Sequence, residues 1–160
     1  PHMSSRNTIS LALFRPPIVL IVEGAPAARS VTCHLVRALG YEPRSARDGQ
    51  QALRMLRQYP TLFSLVLTNV LLPDMDAAEL ARQAGLIEPG IQVAVIAEFV
   101  PLGKAGRVMA ACPDLPVVRK PFGFRELYDV LTPLLGPARL AAPRSSATRS
   151  LHRRKWNAIR

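Results

Sequence analysis

The sequence predicts an α/β fold in which a five-stranded parallel sheet carries helices on both faces. Three observations lead there. Ile18-Val19-Leu20-Ile21-Val22 is an unbroken apolar run of the kind a strand buried on both faces requires. Further short apolar runs follow it. Helical patterns lie between them, and such alternation is the signature of parallel crossover units.

The elements follow in order. Ala27 to Leu39 places Val31, Leu35, Val36 and Leu39 at helical spacing, and Gly40 closes it. Tyr41 to Ala46 is a weaker second strand. Asp48 caps a second helix whose buried side is Ala52, Leu53 and Leu56. Leu62 to Thr68 is the third strand. Asp76 to Ala84 is a third helix, expected to stop near Gly85. Ile91 to Ala97 is the fourth strand, and Lys104 to Ala111 a glycine-interrupted helix. Pro116 to Val118 is a short fifth strand. Phe124 to Leu135 is an amphipathic helix built on Leu127, Val130, Leu131 and Leu134.

Length and composition bound the rest. A chain of 160 residues, 49% hydrophobic, suits one compact domain with tails. Three segments separate: an N-terminal extension over 1–15, the patterned body over 16–136, and a tail over 137–160 rich in Pro, Ser, Ala and Arg. Pro1-His2-Met3 reads as a vector-derived remnant. No apolar run approaches the roughly 20 residues of a membrane span. A cytoplasmic location is expected. Cys33 and Cys112 stand far apart and outside metal-ligand spacing, so two reduced thiols near the core are expected.

The formal charge of +10 suggests nucleic acid until its location is considered. All 11 acidic residues lie between Glu23 and Asp129, where 12 Lys and Arg of residues 16–136 nearly balance them. The excess sits in the tails: Arg6 and Arg15 at the start, then Arg139, Arg144, Arg149, Arg153, Arg154, Lys155 and Arg160. A basic face on the body is therefore not indicated. Nucleic-acid binding through the C-terminal tail stays as an alternative. Ile9 to Phe14 is an apolar patch near the chain start, which a homo-oligomer, dimeric or larger, would bury.

In a sheet of this kind the working site lies beyond the C-terminal strand ends. Those ends are Glu23-Gly24, Asn69, Ala97 and Lys120. Around them the chain resembles the response-regulator receiver family, over about residues 17–136. The resemblance rests on Ile18 to Pro26, Leu39-Gly40-Tyr41, Asp48-Gly49-Gln50-Gln51-Ala52-Leu53, Leu65 to Asp76 and Lys120-Pro121-Phe122, taken in that order and spacing. It implies a flavodoxin-like, doubly wound sheet with strand order 2-1-3-4-5, working in a two-component phosphorelay.

The resemblance also implies a chemistry. A working receiver accepts a phosphoryl group on an aspartate ending the third strand. A magnesium ion held by that aspartate and an acidic pair after the first strand neutralises the phosphoryl oxygens. A Thr or Ser ending the fourth strand and a Lys ending the fifth hold those oxygens. Here Asn69 takes the acceptor position and Ala97 the hydroxyl position. The acidic pair is reduced to Glu23, with Gly24 beside it. Val117 stands where an aromatic switch residue often lies. Only Lys120, with its cis-prone bond to Pro121, keeps the pattern.

The expectation is a degenerate receiver that is not phosphorylated and binds no metal or other cofactor. Lys120 is expected to pair with Glu23, with Asn69 bonded to one of them. The same residues could equally be inherited packing and capping groups. An enzyme is not expected, for no glycine-rich phosphate loop, nucleophile–base pair or metal cluster occurs. The resemblance implies as partners a sensor histidine kinase, a phosphotransfer protein or another response regulator. Interaction candidates are Phe99, Val100, Leu102, Met109, Tyr128 and Leu135, though core packing would also suit most of them. Ala27, Ala28, Val31 and Leu35 are candidates on the first helix.

Overall fold

A computed structural model of the chain describes residues 15–98, 100 and 102–137. Five strands and five helices alternate: β1 (Ile18–Val22), α1 (Pro26–Ala38), β2 (Glu42–Ala46), α2 (Gly49–Gln58), β3 (Leu65–Asn69), α3 (Ala77–Ile87), β4 (Gln92–Glu98), α4 (Gly103–Ala111), β5 (Val117–Lys120) and α5 (Phe124–Leu135). The strands form one parallel sheet in the order β2-β1-β3-β4-β5. The expected fold class and strand order are those observed. Among the described residues no helix is long and apolar enough to cross a membrane.

The alternation of strand side chains divides the core into two layers. Val19, Ile21, Leu65, Leu67, Ala94, Ile96 and Val118 face α1 and α5, where Val36, Leu39, Leu127 and Leu131 meet them. Leu20, Val22, Val66 and Val93 face the other way, against Ala52, Leu53 and Leu56 of α2 and Leu80 and Ala84 of α3. Val95 and Ala97 continue that second layer toward Val108 of α4. Both faces of the central strands are thus covered, which is why their sequences lack a polar alternation.

Local chemistry fixes the helix starts. Asp48 Oδ1 accepts the Gln51 amide at 2.7 Å and caps α2 as expected. Asp76 does the same for α3 through the Glu79 amide at 3.0 Å. Some expected bounds need correction, for β3 begins at Leu65 rather than Leu62 and β5 runs on to Lys120. Helix α3 does not stop at Gly85 but runs through it to Ile87. Gly85 costs the helix about 1 kcal/mol, while Leu80 and Ala84, fully buried, and Ile87, packed on the same layer, hold the turn. Val31, one of the interaction candidates on α1, is 58% exposed, because α1 buries the side carrying Thr32 and Val36.

Both described ends lie at the N-terminal edge of the sheet. Tyr41 donates its hydroxyl to the Gly136 carbonyl at 2.7 Å, and Gln92 at the start of β4 donates to the Leu134 carbonyl at 2.9 Å. The candidate site is at the opposite edge. The apolar patch Ile9 to Phe14, the residues Phe99 and Pro101, and the basic residues from Arg139 onward lie outside the described residues.

Candidate functional site

Strand parity places the site. Glu23 lies one step beyond β1 and continues the side of Val19 and Ile21. Asn69 continues Leu65 and Leu67, Glu98 continues Ala94 and Ile96, and Lys120 continues Val118. All four are therefore on the α1 and α5 side of the sheet's C-terminal edge. Ala97 has the opposite parity and is fully buried among Val70, Ala77, Val95 and Val108.

The expected Lys120–Glu23 pair does not form. Lys120 Nζ instead approaches Glu98 Oε1 at 3.6 Å. The reason is register: Glu98 and Lys120 are direct cross-strand partners on β4 and β5. Glu23 follows β1, three strand positions away in the sheet order, which at the usual spacing is about 14 Å. Asn69 joins neither residue. Its Oδ1 accepts the Val70 amide at 2.9 Å, next to the bond that the same amide makes to the Ile96 carbonyl at 3.0 Å. The Lys120-Pro121 bond is cis, as its sequence suggested.

Glu23 is 5% exposed, and its Oε1 accepts the Ala25 amide at 2.9 Å. Ala25 is the N-cap of α1, has no capping side chain, and the first turn contains no acidic residue. Glu23 thus supplies the negative group that this helix N-terminus favours. Arg29, one turn into α1, donates Nη1 to the carbonyls of Glu23 at 2.6 Å and Gly24 at 3.3 Å. A guanidinium thus binds the backbone of the β1–α1 junction, a contact the sequence pattern alone did not reveal. Glu98 was missed as well; its signal is its place one residue beyond Ala97, facing the Lys at the end of the next strand.

The loop after β3 is tied to α2. The Asp74 carboxylate accepts the Gly49 and Gln50 amides at 2.9 and 2.8 Å. Desolvation pushes the Asp74 carboxyl upward, but these backbone bonds together outweigh it and hold the group below its ordinary range. Pro73 of the same loop lies against Gly24. Burial pushes the thiols of Cys33 and Cys112 up from their ordinary range.

A cleft of about 580 Å3 opens between α1 and the ends of β4 and β5. Glu23, Thr32, Glu98 and Lys120 provide its polar groups, and Ala27, Ala28, Val31, Ile96, Pro121 and Phe122 its apolar walls. The donor set does not fit a magnesium ion. One Glu23 oxygen is used at the helix start, Gly24 offers no side chain, and the Asn69 oxygen is held by Val70. Among the described residues no three His, Cys, Asp or Glu side chains converge on a metal position.

The interaction candidates divide. Val100, Leu102 and Tyr128 are exposed, Leu102 to 79%. Tyr128 stacks on Phe124 with ring centroids 6.5 Å apart. Met109 packs on the Val108 cluster and Leu135 on the α1–α5 layer, so these two belong chiefly to the core. Phe99 lies outside the described residues.

A parallel sheet of this order, with its site at the C-terminal edge and a Lys ending the last strand, is the architecture expected of a receiver domain. The comparisons with known proteins agree. The chain is 35% identical over 104 residues to the response regulator receiver protein CpdR of Brucella abortus (strain 2308), covering 63% of this chain and 84% of that one. It is 40% identical over 68 residues to the two-component response regulator ORR25 of Oryza sativa subsp. japonica, but covers 42% of this chain and only 10% of that larger protein. Among solved structures, the receiver domain of the sensor histidine kinase PA1611 of Pseudomonas aeruginosa PAO1, which holds a magnesium ion in its active site cleft, superposes with a TM-score of 0.63 at 26% identity, covering 76% of this chain and 99% of that one. No protein-family model matches the chain. The chain belongs to the response-regulator receiver family of two-component signalling.

Proposed function

We propose that this receiver is not phosphorylated, has no enzymatic activity of its own, and signals by binding protein partners in a two-component pathway. The observation that carries the reading is Asn69 at the end of β3. A carboxamide is not a carboxylate nucleophile, and its oxygen is already engaged by the Val70 amide. Two further features support it. The acidic positions after β1 supply one carboxylate, which serves the α1 N-terminus. No hydroxyl ends β4, where Ala97 is packed into the core.

The partners are those of receiver domains generally: a sensor histidine kinase, a phosphotransfer protein or another response regulator. Such a domain would sequester a kinase, compete with a working receiver or assemble a complex. The test is direct. The chain is incubated with radiolabelled, autophosphorylated sensor kinases and separately with acetyl phosphate, then assayed for acid-labile, hydroxylamine-sensitive phosphate. None is expected. Stoichiometric labelling of the native chain overturns the reading, while retention of the kinase on the immobilised, unlabelled chain supports it.

A further inference from the structure

The cleft contains an acceptor that the fold does not use. Glu23 is 5% exposed, yet only its Oε1 has a hydrogen-bond partner among the described residues. No ion pair among the described residues includes it. Arg29, the nearest cation by hydrogen bonding, is committed to backbone carbonyls and leaves the carboxylate alone. The second Glu23 oxygen is thus a carboxylate acceptor with no protein donor among the described residues, open to the cavity whose wall it forms. A carboxylate oxygen on the wall of a largely apolar cleft favours a charged donor over a neutral one.

A second observation comes from the mouth of the same cleft. Glu98 is 65% exposed there, and its one ion pair is the long 3.6 Å contact to Lys120. The charged groups facing the cleft are Glu23, Glu98 and Lys120, a net negative lining in a chain that is strongly positive overall. Its walls are apolar, with Val31 58% exposed and Phe122 opposite. A negative end and apolar sides fit a cation on an alkyl stem. The exposed α1 residues Ala27, Ala28, Val31, His34 and Ala38 continue from the cleft, with the exposed Arg37 at the far end beside the last two. A small free amine would leave that surface wet, whereas a helix bearing the cation would cover it.

We propose that the cleft receives a Lys or Arg side chain from a helix of the partner protein, its stem along Val31 and Phe122 and its charge between Glu23 and Glu98. This rests on the protein-binding reading above and names the chemistry of the partner. The ammonium or guanidinium would supply the positive charge that the donor set cannot recruit as a metal ion. Lys120 acts as the internal competitor, because its ammonium already occupies Glu98 when the cleft is free.

The test uses the full chain, labelled with nitrogen-15, and an alanine-based helical peptide with one central Arg. The same peptide with a central Gln is the control. The Arg peptide is expected to shift the amide signals of Glu23, Ala28, Val31 and Glu98, and to bind about tenfold tighter than the Gln peptide, the return of one charge-assisted hydrogen bond. Glu98→Gln, a change at an exposed position, should erase most of that preference, and Lys120→Met should enlarge it. Equal binding of the two peptides, shifts on another face, or a preference untouched by Glu98→Gln overturns the proposal. Free n-butylguanidinium binding as tightly as the Arg peptide overturns the assignment to a partner's helix. Phosphorylation is read separately, so loss of the Arg preference without phosphate on the chain sinks this site and leaves phosphorylation-independence standing.

Discussion

Pro73 closes over Gly24, so that a Cβ built on Gly24 would stand 3.0 Å from the proline Cγ and 3.1 Å from its Cδ. The position where receivers place a second carboxylate is thus roofed by the loop after β3. Gly24→Asp must push that roof outward. Because Pro73 is itself exposed and can give, the expected cost is near the lower end of the roughly 1–3 kcal/mol of overpacking. Chemical denaturation measures it. Calorimetric titration of the same variant should show no magnesium binding at micromolar affinity, since Asn69 still contributes no carboxylate; such binding would show that Glu23 leaves its helix-capping role when a neighbour is supplied.

Asn69→Asp alone should not create a phosphorylatable receiver. The nucleophile would be present, but Gly24 offers no second carboxylate beside Glu23, Ala97 offers no hydroxyl, and Lys120 is turned toward Glu98. Incubation of the variant with acetyl phosphate and mass spectrometry are expected to find less than stoichiometric label. Full labelling would show that the two other losses matter little.

Gly49 is constrained by packing. A Cβ there would run into the side chain of Met75, which packs on the α2–α3 layer. Gly49→Ala is expected to lower stability by no more than about 1 kcal/mol, because the flexible Met75 side chain can shift and Ala suits a helix better than Gly. The cost should shrink in a Met75→Ala background, where the obstructing thioether is gone. A double-mutant cycle by urea unfolding checks it, and an unchanged cost would place the strain in the backbone of the α2 start.

Acid should release one surface pair. The side-chain hydrogen bond from Arg82, aided by Gln83, brings the Glu79 carboxyl down to about 2. A folded pKa below the unfolded one contributes stability that is present above about pH 4.5 and lost as pH falls toward 2. The gap between the native chain and Glu79→Gln should therefore be widest near neutrality, narrow through that window, and shrink in high salt because both groups are exposed. A gap that is constant with pH would assign the effect to helix propensity.

The body of the fold was legible because its signals are local. The β1 run, the Asp48 cap and the α5 stripe each depend on residues a few positions apart, and each formed where expected. Extending α3 through Gly85 was not legible, since an exposed glycine reads as a stop unless the packing of Ile87 is known. At the site, the residue types were visible but their partners were not. Lys120 pairs with Glu98 because β5 lies beside β4, and Glu23 turns to Ala25 because α1 brings no acid of its own. Both depend on cross-strand register or on what a helix lacks, and neither leaves a periodic mark in a sequence.

The Tyr41–Gly136 bond has a practical consequence for anyone attaching something to this domain. It anchors the exit of α5 beside the start of β2, on the side of the molecule away from the cleft. A fluorophore, surface tether or fused reporter joined at Arg15 or Pro137 would therefore project from the back of the domain, and an immobilised copy would present its acidic mouth to the medium.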